Sequence, residues 1–366
     1  EGLLNEKGKL GYKDDDKIDY ILPDYSIICQ ESNRFLEYFY PIDDSYIAYA
    51  TRGCIRKCKF CAVPIIEPHF TNSISIAKQV KAIKDNFGEK RNLLLLDNNI
   101  LASEEFPKII DEIKSIGFER GAKYILNENG KKVYLNRYVD FNQGIDSRLL
   151  TKEKMRLLSE IAIKPLRIAF DDIKYKDIYI EKVRLAAECG IKTLSNYILF
   201  NFKDTPEDFY ERLKINVELN EEFESNRYKS KIWSFPMKYS PITGEFCKNR
   251  KYVGKYWNRK YLRGVQCILL ATHGVVGPKK QFFEKAFGKD AKEFIKILML
   301  PENFIIYRNI HLNNGNRNTL DDTINSLNKE QRNNLMEIIF SNNFNNIGTQ
   351  TNDKCILDIL ELYKIK

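Results

Sequence analysis

Residues 45–61 read Ser45-Tyr46-Ile47-Ala48-Tyr49-Ala50-Thr51-Arg52-Gly53-Cys54-Ile55-Arg56-Lys57-Cys58-Lys59-Phe60-Cys61. The run up to Thr51 is rich in β-branched and aromatic residues, hence a strand. Gly53 ends it, and three cysteines follow in a loop at the strand's carboxyl end, where α/β folds place their chemistry. Three of the chain's eight cysteines fall within this one loop, a clustering that scatter does not produce. Three thiolates so spaced can wrap one side of a small iron–sulfur cube and leave the fourth iron open to a substrate or cofactor. Arg52, Arg56, Lys57 and Lys59 surround the thiols, and their charge favours the thiolate. The alternative is zinc, with His69 as a fourth ligand. Against it, Pro64 and Pro68 intervene, and no second paired-ligand element follows. Cys29, Cys189, Cys247, Cys267 and Cys355 are scattered and read as small buried side chains.

Outward from the loop the chain alternates strands with helices. Strands are predicted over 45–51, 92–96, 138–142, 166–170, 193–200 and 232–235. The intervening helices span 74–87, 104–116, 152–161, 178–189 and 206–222. Tyr124–Leu135, with Asn129-Gly130 between apolar flanks, reads as an inserted hairpin. Six strands alternating with helices imply a parallel sheet with right-handed crossovers. Beyond Ser240 the pattern turns helical, near 259–272, 279–298, 320–340 and 354–363, and from Pro301 it is rich in Asn.

The C-x3-C-x2-C spacing with Phe60 before the last cysteine resembles the signature of the radical S-adenosylmethionine (SAM) superfamily. The likeness extends through Cys61-Ala-Val-Pro64, Asp140-Phe-Asn-Gln-Gly144 and Ser234-Phe-Pro-Met237. It implies an α/β fold, a partial (βα)6 radical SAM barrel with an α-helical C-terminal region. It also implies a [4Fe-4S] cluster on Cys54, Cys58 and Cys61, with Phe60 beside the adenine of SAM. In the superfamily the open iron chelates the amino and carboxylate groups of SAM, and an electron releases a 5′-deoxyadenosyl radical that takes hydrogen from the substrate. The family's Gly-Gly-Glu is replaced here by Asp97, Asn98 and Asn99, suitable acceptors for an ammonium; their other reading is an Asx turn. Asn142, Gln143, Arg148, Arg167 and Asp171 stand at strand ends that would meet the ribose and carboxylate. Arg148 and Arg167 would equally suit pairing with neighbouring acids. Asn201–Asp208 replaces the usual Gly-x-Pro-Gly-Glu-Thr turn.

The nearest resemblance is to uncharacterised members with a cobalamin-binding-like domain ahead of a segment like Gly2–Ile28. That domain is expected to be missing here. With no Asp-x-His-x-x-Gly motif, cobalamin is unsupported, and the second alternative is a degenerate barrel serving as scaffold for a cobalamin protein. Methylthiotransferases need three more cysteines upstream, and only Cys29 precedes Cys54. A second, ferredoxin-like cluster has no cysteine group to hold it. Cys267 or Cys355 could act as a methyl carrier.

The 366 residues give a prior of about two domains. The expected division is an N-terminal extension over 1–44, with Gly11–Lys17 a native acidic loop, the barrel over 45–240, a basic helical extension over 241–300, and an Asn-rich tail over 301–366. With 43% hydrophobic and 30% charged residues the chain is a globular protein able to bury a core. No apolar run approaches a membrane span and no export signal opens the chain, so a cytoplasmic location without a membrane partner is expected. Between Ser225 and Asp290 fifteen Lys and Arg face three Asp and Glu, although the whole chain carries only +9. Aromatics interleave with these charges, as a nucleic-acid or nucleotide surface requires; a solvated helix face over core aromatics has the same composition. The reading is a radical SAM enzyme with an anionic substrate, RNA or a nucleotide ahead of a metabolite, and a flavodoxin- or ferredoxin-type electron donor. Its rival is a zinc-stabilised nucleic-acid-binding module without catalysis.

Overall fold

The computed structural model describes residues 22–25, 44–72, 74–128 and 130–364. Cys29, the Gly11–Lys17 stretch and most of the 1–44 extension lie outside the described residues. Two compact units are present. One holds the described residues up to Phe170 together with Tyr175–Tyr197 and Glu222–Ile232; the other holds Asp171–Lys174, Ile198–Glu221 and the chain from Trp233 onward.

Strands stand at each of the six expected positions: β1 (Ser45–Ala48), β2 (Asn92–Leu95), β5 (Val139–Phe141), β6 (Leu166–Arg167), β7 (Thr193–Phe200) and β8 (Lys231–Lys238). The inserted hairpin is β3 (Lys123–Glu128) with β4 (Lys131–Asn136), antiparallel and paired only with itself. β2 lies between β1 and β5 and runs parallel to both, with Tyr46 opposite Leu93 and Leu94 opposite Asp140. A central parallel strand is covered on both faces, which is why Leu93, Leu94 and Leu95 are all buried and do not alternate with polar residues. A second sheet has the order β6-β7-β8, with Leu166 opposite Leu194 in parallel register. β7 and β8 also run parallel: Lys231 N–H donates to the Lys192 carbonyl at 2.9 Å and Tyr239 N–H to the Phe200 carbonyl at 2.8 Å. Isolated parallel bridges, Val139 with Ile163 and Ile145 with Ile168, link the β5 and β6 segments. The chain is therefore mixed α/β with parallel sheets, and among the described residues its strands lie in two three-stranded sheets and the two-stranded hairpin.

β1 and β6 are shorter than expected. β1 stops at Ala48 because the next amides donate to side chains instead of to a neighbouring strand, Tyr49 to Gln79 Oε1 and Ala50 and Thr51 to the Asp97 carboxylate. Two long C-terminal helices divide. The first breaks into Lys280–Phe287 and Ala291–Met299, with Gly288 ending one and the Asp290 side chain capping the next at the Glu293 amide. The second breaks at Leu327, after which Asn328 and Gln331 form a capping box for Lys329–Ser341. In the second unit the core sets Phe209, Tyr210, Trp257, Phe283, Phe287 and Phe294 among Ile, Leu and Val side chains, many from helices beyond Arg259. That region is not wholly helical: Val276 makes an antiparallel bridge to Ser234 in β8. No helix among the described residues is long and apolar enough to cross a membrane.

Candidate functional site

The cysteine loop is closed at its neck. Arg52 and Thr71 exchange backbone hydrogen bonds, Arg52 N–H to Thr71 O at 3.3 Å and Thr71 N–H to Arg52 O at 2.9 Å. Inside the neck, Glu67 gathers four donors: Arg52 Nε at 3.3 Å and Nη2 at 3.1 Å, the Gly53 amide at 2.9 Å, and Asn98 Nδ2 at 2.7 Å. Gly53 makes the turn possible, since its φ is +71° and a Cβ there would lie 2.2 Å from the His69 carbonyl oxygen. Along the loop, exposure alternates. Cys54, Arg56, Cys58, Phe60 and Cys61 are half-buried, whereas Ile55, Lys57 and Lys59 face solvent.

Behind the loop, Asp97 is 1% exposed. Its Oδ1 accepts from the Ala50 amide at 3.0 Å, the Thr51 amide at 2.6 Å and the Thr51 hydroxyl at 2.7 Å. Burial pushes its pKa up to about 6 against the pull of these donors. The carboxylate thus fixes the end of β1. Two residues on, Asn99 points at the loop: its Nδ2 donates to Cys54 Sγ at 3.3 Å, where the Arg56 amide also donates at 3.3 Å. The same side chain's Oδ1 is buried with no hydrogen-bond partner. An orphan acceptor in a buried place has a cost that a donor-bearing ligand would remove.

At the end of β5 the loop meets a second group. Arg56 Nε donates to Asp146 Oδ2 at 3.1 Å, and Arg148 grips the same carboxylate through Nε at 2.7 Å and Nη2 at 2.9 Å. Burial raises the Asp146 pKa, but the hydrogen bonds and charge of Arg148 outweigh it and hold the carboxyl below its usual range. Arg167 makes a bidentate pair with Asp140, at 2.8 and 2.7 Å, beside the Tyr197 ring. For both arginines the pairing with a neighbouring acid is the one observed. Asn142 is half-buried with the Tyr197 hydroxyl 3.5 Å from its Oδ1, and Gln143 is exposed. Asp171 belongs to the second unit, where its carbonyl accepts from Arg212 Nη1 at 3.1 Å.

The structure therefore brings Cys54, Asn99, Arg56 and Asp146 together and ties Asn98 to the same loop through Glu67. Glu67 escaped sequence reasoning: it sits in no periodic pattern, and only the folded loop shows its donors converging. Among the described residues no three or more His, Cys, Asp and Glu side chains are gathered so as to hold an ion, with or without His69. Cys54, Cys58 and Cys61 are all half-buried in the one closed loop, and Cys54 Sγ accepts two N–H groups. Of the scattered cysteines within the described residues, only Cys267 is buried; Cys189 and Cys247 are half-buried and Cys355 is exposed, contrary to the expectation of core side chains. Burial also pushes the Cys267 thiol up to about 11, which makes it a poor methyl acceptor.

No family model matches the sequence, and no curated protein does either. Two solved structures of Streptococcus suis SuiB, one bound to precursor peptide SuiA and one bound to S-adenosylmethionine, are 14% identical in sequence, with TM-scores of 0.39 and 0.40. Each alignment covers 63% of this chain and 47% of SuiB, so this chain spans about half the length of those proteins.

Proposed function

We propose that the chain is a radical SAM enzyme on a partial barrel of six strand–helix units, acting on an anionic substrate. The observation that carries the reading is the closed loop in which Asn99 offers its amide to Cys54 and keeps a buried, unfilled carbonyl oxygen. When bound, a [4Fe-4S] cluster with S-adenosylmethionine supplies the 5′-deoxyadenosyl radical that takes a hydrogen atom from the substrate.

The protein's own part follows from its side chains. Cys54, Cys58 and Cys61 are the cluster ligands, and hydrogen bonds from Asn99 and the Arg56 amide stabilise negative charge on Cys54 sulfur. Asn99 Oδ1 is the acceptor for the methionine ammonium, and Asn98 is held beside it by Glu67. Asp97 fixes the strand end from which the loop departs. Phe60 is assigned to the adenine, and Asn142 and Gln143 to the ribose. Arg148 and Arg167 serve as positioning residues, since their forks already hold Asp146 and Asp140. Exposed Lys57 and Lys59 suit an acidic one-electron donor of the flavodoxin or ferredoxin type.

Anaerobic reconstitution with iron and sulfide tests the metal directly. About four irons per chain with a broad charge-transfer absorption is the expected result, lost in Cys58→Ala. One tightly held zinc and no iron uptake would overturn the reading in favour of a zinc-stabilised module.

A further inference from the structure

The sequence between β8 and the helix Arg259–Ala271 is built into a defined surface within the second unit. Asn201, fully buried at the end of β7 with φ +69°, ties it down. Its Nδ2 donates to the carbonyls of Tyr239 at 3.2 Å and Tyr252 at 3.3 Å, and its Oδ1 accepts the Gly254 amide at 2.7 Å. Gly254 has no room for a side chain: a Cβ would lie 2.8 Å from the Asn201 carbonyl oxygen. Farther along, Trp257 Nε1 donates to the Asp204 carbonyl at 2.9 Å. The segment is thus fastened at several points to the carboxyl ends of β7 and β8.

What the fastening presents is an aromatic wall beside uncompensated cations. Phe202 packs against Tyr239 with centroids 4.7 Å apart, Tyr239 against Tyr252 at 5.4 Å, and Phe246 against Tyr252 at 6.2 Å. Phe246 is 40% exposed. Lys238, Arg250 and Arg259 are exposed, and none of the three forms an ion pair with a described carboxylate. Lys238 Nζ reaches the Arg250 carbonyl at 3.4 Å. Burial first, and then the charges of Arg250 and Arg259, lower the Lys238 pKa, so these cations disfavour one another in the free protein. Next to Tyr239, Ser240 Oγ is buried without a hydrogen-bond partner. Like charges held together beside an orphan hydroxyl have unmet demand for an anion, and the exposed Phe246 ring, with half-buried Tyr252 and Tyr239 behind it, supplies a stacking face.

We propose that Lys238, Arg250 and Arg259, with the Tyr239–Phe246–Tyr252 wall, bind a nucleotide segment, its phosphates on the cations and a base on the rings. The inference deepens the proposed function by naming its substrate class and rests on that reading only in calling the ligand a substrate. Binding itself is measurable on protein free of iron and SAM, so the two ideas fail separately.

The test is fluorescence anisotropy with a labelled six-nucleotide single-stranded RNA, against a hexaglutamate peptide of similar charge. Wild type is expected to prefer the RNA, with affinity falling steeply as salt rises. The double variant Lys238→Gln, Arg250→Gln should flatten the salt slope by about one to two units. Phe246→Ala, at an exposed ring, should weaken RNA about 5- to 100-fold and leave hexaglutamate unchanged. Circular dichroism confirms that each variant is folded. Equal affinity for both ligands, or RNA binding untouched by all these changes, would overturn the proposal; a preference for hexaglutamate would move the assignment to an acidic peptide.

Discussion

Gly53 and Asp97 define the two ends of the cysteine loop's support, and each makes a separable prediction. Alanine at position 53 would have to adopt φ near +71° with a Cβ 2.2 Å from a backbone oxygen, and backbone cannot yield as a side-chain tip can. Gly53→Ala is expected to cost about 2 kcal/mol or more in denaturant unfolding and to lower iron uptake; unchanged values of both would show that the neck is not rigid. Asp97 titrates near 3.8 in the unfolded chain and near 6 when folded, because burial opposes its charge. The folded state therefore holds that proton more firmly, and stability from this group declines as pH rises between those values. Asp97→Asn has no such titration. Relative to wild type its unfolding free energy should improve by about 3 kcal/mol on going from below the lower value to above the upper one. A constant difference across that range would contradict the burial argument. The placement of the cysteine loop after β1 and of the Asp-Asn-Asn triplet after β2 was legible in the sequence, because strand ends are one-dimensional facts. Glu67 was not, since a carboxylate's partners are chosen in space and it meets Asn98 from 31 residues away, whereas the pairing of Arg148 and Arg167 with nearby acids was open in the sequence.

At the level of elements, hydrophobic patterning located every described strand of the two parallel sheets and the hairpin inserted between β2 and β5. It missed where elements stop. The breaks at Asp290 and Asn328 are side-chain caps inside continuous apolar periodicity, and periodicity alone does not register a cap. The β3–β4 hairpin shows the reverse situation, a regular element with little to bury. Ile125, Val133 and Tyr134 are all exposed, and the two strands pair only with each other. Replacing Tyr124–Leu135 by Gly-Gly should therefore change stability by only about 1 kcal/mol in thermal unfolding. Collapse of the fold would show that the hairpin supports the sheet. The terminal helices share one largely aliphatic core, into which Tyr363 is buried with its hydroxyl donating to the Met299 carbonyl at 2.9 Å.

For the molecule as a whole, a modest net charge conceals an uneven one, since the stretch from Ser225 to Asp290 carries more positive charge than the whole chain and the remainder is slightly acidic. Not every cation there is available to a ligand. Lys260 is fully buried, its ammonium has no hydrogen-bond partner, and burial lowers its pKa to about 8. Below that pH the folded chain must keep a proton that the buried site disfavours, so stability rises as pH climbs from about 8 toward 10.5. Lys260→Met should stabilise the protein at neutral pH by about 2–3 kcal/mol; destabilisation would show a compensating role for the charge. Composition alone could not separate such a buried lysine from Lys238 or Arg250, because accessibility is a property of the fold. The central claim, that the closed loop at the end of β1 exists to run SAM chemistry, has a direct assay. Reconstituted protein is mixed with dithionite and SAM under anaerobic conditions, and 5′-deoxyadenosine is quantified. Wild type should release it, Asn99→Ala should release at least ten-fold less, and Cys58→Ala none. Reconstituted wild-type protein with its iron in place that forms no 5′-deoxyadenosine would contradict the claim.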